Sequence, residues 1–314
     1  MSFIKSPNKL PRLFVKITNN LRSGLFRFFY YAIEIPWICY NQYIDKINLK
    51  ETKPQYPIVA PVDLLGIKFL IYLKNRGSIE EAILLKGEYE EELLRIADTL
   101  VSAETTIIDI GANIGFLSLY WAKKFNNCQV FSYEPTAYAF ECLKKSKELN
   151  RLDNLKVFKL AAGDDNCQGE VYSPTEKTYN KGLGSINFNA DIEGDQTYMK
   201  EKIDIVSLDE HIGMEKNVSL IKIDVQGTEV NVLKGALKLI EKDKPLIIIE
   251  VHDDYYERPL EKRQSIKALF AIDSYDFYRI KRGFAKRPYL FLEKIDIGTP
   301  EQVNNDILMV PKST

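Results

Sequence analysis

From residue 105 onward, short runs of Ile, Val and Leu alternate with segments of helical period. This alternation limits the possible folds more than any other feature of the sequence. The runs are Ile107–Ile110, Gln129–Tyr133, Leu155–Leu160, Leu220–Asp224 and Leu246–Val251. Between them, Phe116–Lys124, Ala137–Asn150 and Glu229–Lys242 carry apolar residues at helical spacing. Strands apolar on both faces and separated by helices belong to a parallel sheet covered on both sides. The last runs, "YDFYRIKR", "PYLFLEKI" and "NDILMVP", come without long helices between them, so the sheet is expected to finish with an antiparallel pair.

The 314 residues, 45% apolar and 28% charged, suffice for one large α/β domain with an appendage. The net charge of −1 creates no chain-wide field that would favour nucleic acid, and none is expected as a partner. Cys39, Cys128, Cys142 and Cys167 show no metal or redox spacing, which fits reduced thiols in a cytoplasmic protein. Residues 1–60 read as a basic, aromatic extension that ends in a linker spaced by Pro54, Pro57 and Pro61. Lys5, Lys9, Arg12, Lys16, Arg22 and Arg27 all precede its first acid, Glu34. Its apolar stretches are interrupted well short of the roughly 20 residues of a membrane span. Two readings stay open for residues 1–45: a helical segment packed on the main domain or a partner, or one lying peripherally on the anionic inner face of a membrane. Residues 61–314 form the main domain, with a helical lead-in over 61–102 and a sheet core over 105–311. Ser78 and Glu81 have the spacing of a capping box. Residues 172–202, rich in Gly, Asn and Asp, read as a long loop.

Parallel sheets bind ligands beyond the carboxyl ends of their strands. "TTIIDIGANIGFLSLYWAKK" puts Asp109 at such an end. Gly111 and Gly115 let the turn approach a ligand closely, and Asn113 tolerates a left-handed backbone. The Gly111-Ala-Asn-Ile-Gly115 spacing breaks the G-x-G-x-x-G pattern of dinucleotide sites. An acid ahead of the glycines suits a cationic ligand such as S-adenosylmethionine. Glu134 ends the next run, 25 residues after Asp109, where a carboxylate can accept ribose hydroxyls. Ala161 and Ala162 leave room for a flat base.

"IIDIGANIGFLSLYWA", "VFSYEP", "KLAAGD", "VSLDEHI", "LIKIDVQGTEVNVLKGA" and "PLIIIEVH" together resemble the FkbM family of S-adenosylmethionine-dependent methyltransferases, over roughly residues 85–311. The resemblance implies a Rossmann-like, seven-stranded, mostly parallel sheet with helices on both faces. It also implies S-adenosylmethionine as cofactor and a sugar, glycan or other small-molecule acceptor, methylated on oxygen or nitrogen. "KGEYEEEL" is similar to a Gly-x-x-Glu segment of the family, which makes Glu90 a cofactor-binding candidate. Gln226 and Thr228 depart from the family's usual Glu and aromatic, and this bears on the choice of acceptor.

Asp224, ending the fourth run, is the expected centre of catalysis. Glu229 sits in the first turn of the helix that follows, where an anion is favoured. Glu250 and His252 are two apart on a strand and share a face, so they could orient a general base or hold a polar acceptor. Asp224, Glu250, His252 and Asp253 also invite a divalent metal, but they lack a compact ligand spacing and no metal is assigned. Two rivals are a nicotinamide-dependent oxidoreductase on a similar fold and a non-catalytic scaffold. If residues 1–45 do lie on a membrane, the full chain sediments with anionic liposomes, and a chain starting near residue 55 stays in the supernatant. Equal sedimentation of the two would remove the membrane reading.

Overall fold

A computed structural model describes residues 54–87, 89–175, 198–213, 215–253, 258–270, 274–282, 290–300 and 303–312. The readings for residues 1–45 lie outside them. Among the described residues no helix is long and apolar enough to cross a membrane.

The described chain opens with a hairpin, β1 (Ile58–Leu64) and β2 (Ile67–Leu73), paired antiparallel through a turn at Leu65–Gly66. The helical lead-in expected from residue 61 therefore begins only at residue 78. Burial explains the difference. Ala60, Val62 and Leu64 are buried while Val59, Pro61 and Asp63 are exposed, a period of two. Leu65 and Gly66 both have positive φ, as a tight two-residue hairpin turn requires. Ala60 already packs in the main core, so the folded unit starts ahead of residue 61. Two helices follow, α1 (Ser78–Lys86) and α2 (Glu91–Leu100). The capping box does not form. Gly77 occupies the cap position without a side-chain cap bond, and the Glu81 carboxylate pairs with Arg76.

The core is one eight-stranded sheet. Its strands are β3 (Thr106–Ile110), β4 (Gln129–Tyr133), β5 (Leu155–Phe158), β9 (Val218–Ile223), β10 (Leu246–His252), β11 (Tyr275–Arg282), β12 (Leu290–Ile295) and β13 (Asn304–Pro311). They lie in the order β12-β11-β13-β10-β9-β3-β4-β5. Pairings from β10 to β5 are parallel, and those from β10 to β12 through β13 and β11 are antiparallel. The sheet thus has one strand more than the seven expected: β12 adds a hairpin partner at the edge. The chain from Ala161 does not simply prolong β5. Residues Ala161–Gly163 form β6 in a separate three-stranded sheet with β7 (Cys167–Pro174) and β8 (Tyr198–Ser207). Part of the expected loop over 172–202 is therefore strand.

Alternate residues of the parallel strands feed two cores, one per face. Ile107, Val130, Leu220 and Ile248 face the hairpin, α2, α3 (Phe116–Lys124) and α4 (Ala137–Asn150). Ile108, Phe131, Ile221 and Ile247 face the other layer, built from α5 (Leu208–His211), α6 (Glu229–Lys234), α7 (Leu237–Asp243) and α8 (Pro259–Leu269). Residues 116–122 of α3 are all buried, as expected of a helix that is apolar on every side. The single helix expected over 229–242 is broken at Gly235. A β-carbon there would lie 1.8 Å from the Gly163 carbonyl oxygen, and the Gly235 carbonyl accepts from the Asp209 N–H and the Ser207 hydroxyl.

At the far end of β10, the wholly buried Arg263 of α8 ties three segments together. Its guanidinium lies 3.0 Å from Asp253 and donates to the carbonyls of Ile297 and Thr299. Asp253 in turn accepts the Val303 N–H. Removing one partner of a buried pair leaves the other charge uncompensated. Arg263→Met is therefore expected to destabilise the protein by about 3–5 kcal/mol in urea unfolding. A loss under 1 kcal/mol would show that the pair is dispensable.

Candidate functional site

The site grows from a polar row across the centre of the sheet. In the parallel register, Ser132 of β4, Asp109 of β3 and Lys222 of β9 are neighbours. Asp109 is wholly buried. Ser118 of α3 donates to its Oδ2 and lies 2.7 Å from the Ser132 hydroxyl. Lys222 is only 5% exposed. Its ammonium lies 3.7 Å from Asp109 Oδ1, 3.2 Å from Asp224 Oδ2 and 3.1 Å from the Gly111 carbonyl. Burial alone would lower the Lys222 pKa. The carboxylates of Asp224, Asp109 and Glu90 outweigh it and hold the pKa above the usual lysine value.

Beyond β3 the chain turns with positive φ at Gly111, Asn113 and Gly115. At Gly111 the turn presses on the end of β9, where a β-carbon would lie 1.8 Å from the Asp224 carbonyl oxygen. Only glycine fits. The N–H groups of Gly111 and Ala112 both donate to the Tyr133 carbonyl. Asn113 donates its N–H to Glu134 Oε2 at 2.9 Å and accepts the Ile114 N–H on its own side chain. Glu134 Oε1 accepts from the Thr136 N–H and hydroxyl. Burial raises the Glu134 pKa, against these hydrogen bonds.

Two hollows meet at this turn. The larger, about 660 Å³ with its open mouth, is lined by Gly111, Asn113, Glu134, Ala161, Ala162 and Asp224 among others. The smaller, about 310 Å³, is lined by Tyr89, Glu90, Gly111, Gly115, Lys222 and Asp224 among others. Glu90 stands in the left-handed region at φ 51, and its Oε2 is buried with no hydrogen-bond partner among the described residues. Burial, then the nearby Asp224 and Asp306 carboxylates, push its pKa up to about 8 in spite of Lys222.

Beyond the end of β9, Gln226 donates to Asp224 Oδ1 at 3.1 Å and to Glu250 Oε2 at 3.2 Å. Burial and then the Asp224 charge push the Glu250 pKa up to about 10, so Glu250 keeps its proton and donates it to Asp224. Asp224 stays below the usual carboxylate range. Burial works against it, but Lys222 and the hydrogen bonds from Glu250 and Gln226 prevail. His252 Nε2 lies 3.5 Å from Glu250 Oε1, as the shared strand face requires.

Eight of the twelve residues singled out from the sequence line the two hollows: Glu90, Gly111, Asn113, Gly115, Glu134, Ala161, Ala162 and Asp224. Glu250 and His252 stand behind Asp224 and do not line either. Two expectations need correction. Asp109 does not face a ligand, because it is sealed beneath the turn and spent on Ser118 and Lys222. Glu229 is 1% exposed, and its Oε1 accepts the Gly227 N–H, so it fixes the loop rather than meeting a substrate. Asp253, weighed as a metal ligand, is taken up by Arg263. Sequence reasoning missed Lys222. The available signal was a lysine inside "LIKI", a run that should be buried on both faces. His211, set aside as structural, bonds the Tyr133 hydroxyl at 2.8 Å and packs on Phe158.

This donor set suits a cation better than a phosphate. Carboxylates outnumber the single buried ammonium, the turn admits close approach, and Glu134 can accept hydroxyls beside the small Ala161 and Ala162. Residues 109–281 match the model of the methyltransferase FkbM domain. Methyltransferase 1 of Beauveria bassiana (strain ARSEF 2860) is 22% identical over 180 residues, 53% of this chain and 72% of its own length. The hexuronic acid methyltransferase AglP of Haloferax volcanii is 25% identical over 211 residues, 66% of this chain and 80% of its own. The crystal structure of methyltransferase FkbM from Methylobacillus flagellatus KT aligns with a TM-score of 0.43 and 16% identity. That alignment covers 71% of this chain and 48% of the solved one, about half its length.

The raised Glu90 pKa sets a pH signature. The unfolded carboxyl ionises near its ordinary value of about 4.3, while the folded one holds its proton up to about 8. The folded state then binds more protons than the unfolded, so Glu90 costs stability increasingly as pH rises through that window. Glu90→Gln is expected to stabilise the protein by about 0.5–2 kcal/mol at pH 8, with the gain vanishing near pH 4. Urea unfolding at both pH values checks this; a gain independent of pH would remove the burial argument.

Proposed function

Because this chain belongs to the FkbM family of S-adenosylmethionine-dependent methyltransferases, we propose that it methylates a hydroxyl of a sugar, glycan or other small molecule, with Asp224 at the reaction centre. One observation carries this reading: Asp224 borders both hollows and shares them with Gly111 and Asn113. It therefore stands where a donor held by the glycine turn and an acceptor in the open cleft would meet.

Three features fit S-adenosylmethionine. Glu134 offers a carboxylate to the ribose hydroxyls, Ala161 and Ala162 leave a slot for the base, and the unpartnered Oε2 of Glu90 suits the ammonium of the methionine end. When bound, the sulfonium supplies an electrophilic methyl group. The chain's own residues supply alignment, which can be worth roughly 7–11 kcal/mol of barrier. Asp224, ionised and fixed by Lys222 and Gln226, accepts a hydrogen bond from the acceptor hydroxyl and takes its proton as the oxygen reacts. Glu250 behind it holds the carboxylate in orientation. His252, whose side chain is 32% exposed, carries the proton outward to water.

A carbohydrate acceptor is favoured by the polar Asp224, Gln226 and Thr228 on the cleft wall and by the likeness to a hexuronic acid methyltransferase. Isothermal titration should give binding of S-adenosylhomocysteine and none of NAD; binding of NAD alone would point to the oxidoreductase instead. Labelled S-adenosylmethionine offered with uronic acids and neutral sugars should yield an alkali-stable ether. An alkali-labile ester would move the transfer from hydroxyl to carboxylate. Asp224→Asn should slow turnover by ~10²–10⁴, and an unchanged rate would displace Asp224 from the centre.

A further inference from the structure

The site reading uses the buried Lys222 only as a support for Asp224. Lys222 lines the smaller hollow and not the larger. Its ammonium touches three groups on two strands and the turn between them: Asp109 of β3, the Gly111 carbonyl, and Asp224 at the end of β9. Gly111 and Asp224, with Asn113, border both hollows. Their backbones already abut, through the Asp224 N–H to the Ile110 carbonyl at 3.1 Å and the close approach at Gly111. The backbone contact sets where the two segments meet. It does not set the direction of the Asp224 carboxylate, which accepts from Lys222 alongside the Gly111 carbonyl.

We propose that Lys222 is a positioning residue of the donor site, cross-linking the glycine turn to the Asp224 carboxylate so that the wall meeting the donor's positive charge is preformed before the donor arrives. This rests on the donor-site reading above. Lys222 acts on the donor through Asp224 and Gly111. Around Asp224 stand Lys222 on its own strand, Asp109 on β3, Tyr89 and Glu90 ahead of α2, and Glu250 on β10, with Asp306 of β13 facing Glu90 and Glu250. Among these, Lys222 is the one cation. Without it, burial and the surrounding acids would leave Asp224 holding a proton near neutrality, and a protonated Asp224 attracts a cation poorly.

The test is S-adenosylhomocysteine affinity by isothermal titration as a function of pH, which needs no acceptor. Lys222→Met alone strands Asp109 as a buried charge and is expected to destabilise the fold strongly. The double variant Lys222→Met with Asp109→Asn removes both charges, and circular dichroism and a cooperative melt establish that it is folded. Its affinity should fall at least tenfold at pH 6 and recover as pH rises toward 8, because Asp224 must then lose a proton before it can serve. Lys222→Arg, which keeps the charge, should stay within about threefold of the parent without the added pH dependence. A folded double variant with the parent's affinity and pH profile would overturn the proposal. A uniform loss at every pH would also overturn it, by reducing Lys222 to a packing element. If the parent protein itself fails to bind S-adenosylhomocysteine, it is the donor-site reading that falls.

Discussion

A lysine ammonium buried in the middle of a parallel sheet is the constraint around which this structure is arranged. Lys222 lies between Ile221 and Ile223 on its own strand and opposite Ile248 of β10, where an unpaired charge could not persist. Asp109 and Asp224 compensate its charge, and the Gly111 carbonyl and Asp224 accept its hydrogen bonds. Satisfying Lys222 brings together the ends of β3 and β9, and that junction is where both hollows open. The polar row of Ser132, Asp109 and Lys222 sits one pleat below the surface of the site. Glu134, Asp224 and Glu250 form the row above it, at the carboxyl ends of the same strands.

The upper row carries more acid than base. Glu250 and Glu90 stay protonated where ordinary carboxyls would ionise, because burial and their neighbours outweigh Lys222. Such an arrangement costs stability in the free protein and leaves Asp224 as the ionised carboxylate of the upper row that borders both hollows. Residues that weaken the fold here are therefore the ones expected to serve the chemistry, and residues that strengthen it, such as Glu229 on the Gly227 N–H, stand off the cleft.

Much of this was legible in the sequence, for identifiable physical reasons. Strands buried on both faces advertise themselves as unbroken apolar runs, so the parallel strands were readable to within two residues at each end and the helices at 116–124 and 137–150 at their boundaries. Glu134 and the glycine turn were readable because each needs a particular residue at a strand end. Residues 58–73 were misread because Leu65 and Gly66 hide a hairpin turn inside a nearly continuous apolar stretch. The alternation that marks the hairpin appears only once one face packs against α3 and α4. Asp109 was misassigned because an acid at a strand end looks the same from the sequence whether it faces a ligand or a buried lysine across the register. Glu229 posed the same ambiguity, since a first-turn acid can bond its own loop. The break at Gly235 depended on a tertiary contact with Gly163 that no local pattern records.

The separate small sheet gives the protein two independent ways to vary. Ala161 and Ala162, which line the larger hollow, hang on β8 rather than on the main platform, with Ile205 and Gly235 wedged against Gly163 as spacers. Changes in those spacers alter how wide that hollow stands while leaving the Lys222 junction untouched. The wall of the hollow and the junction at the strand ends are thus housed in different architectural units, and each can drift without dragging the other along.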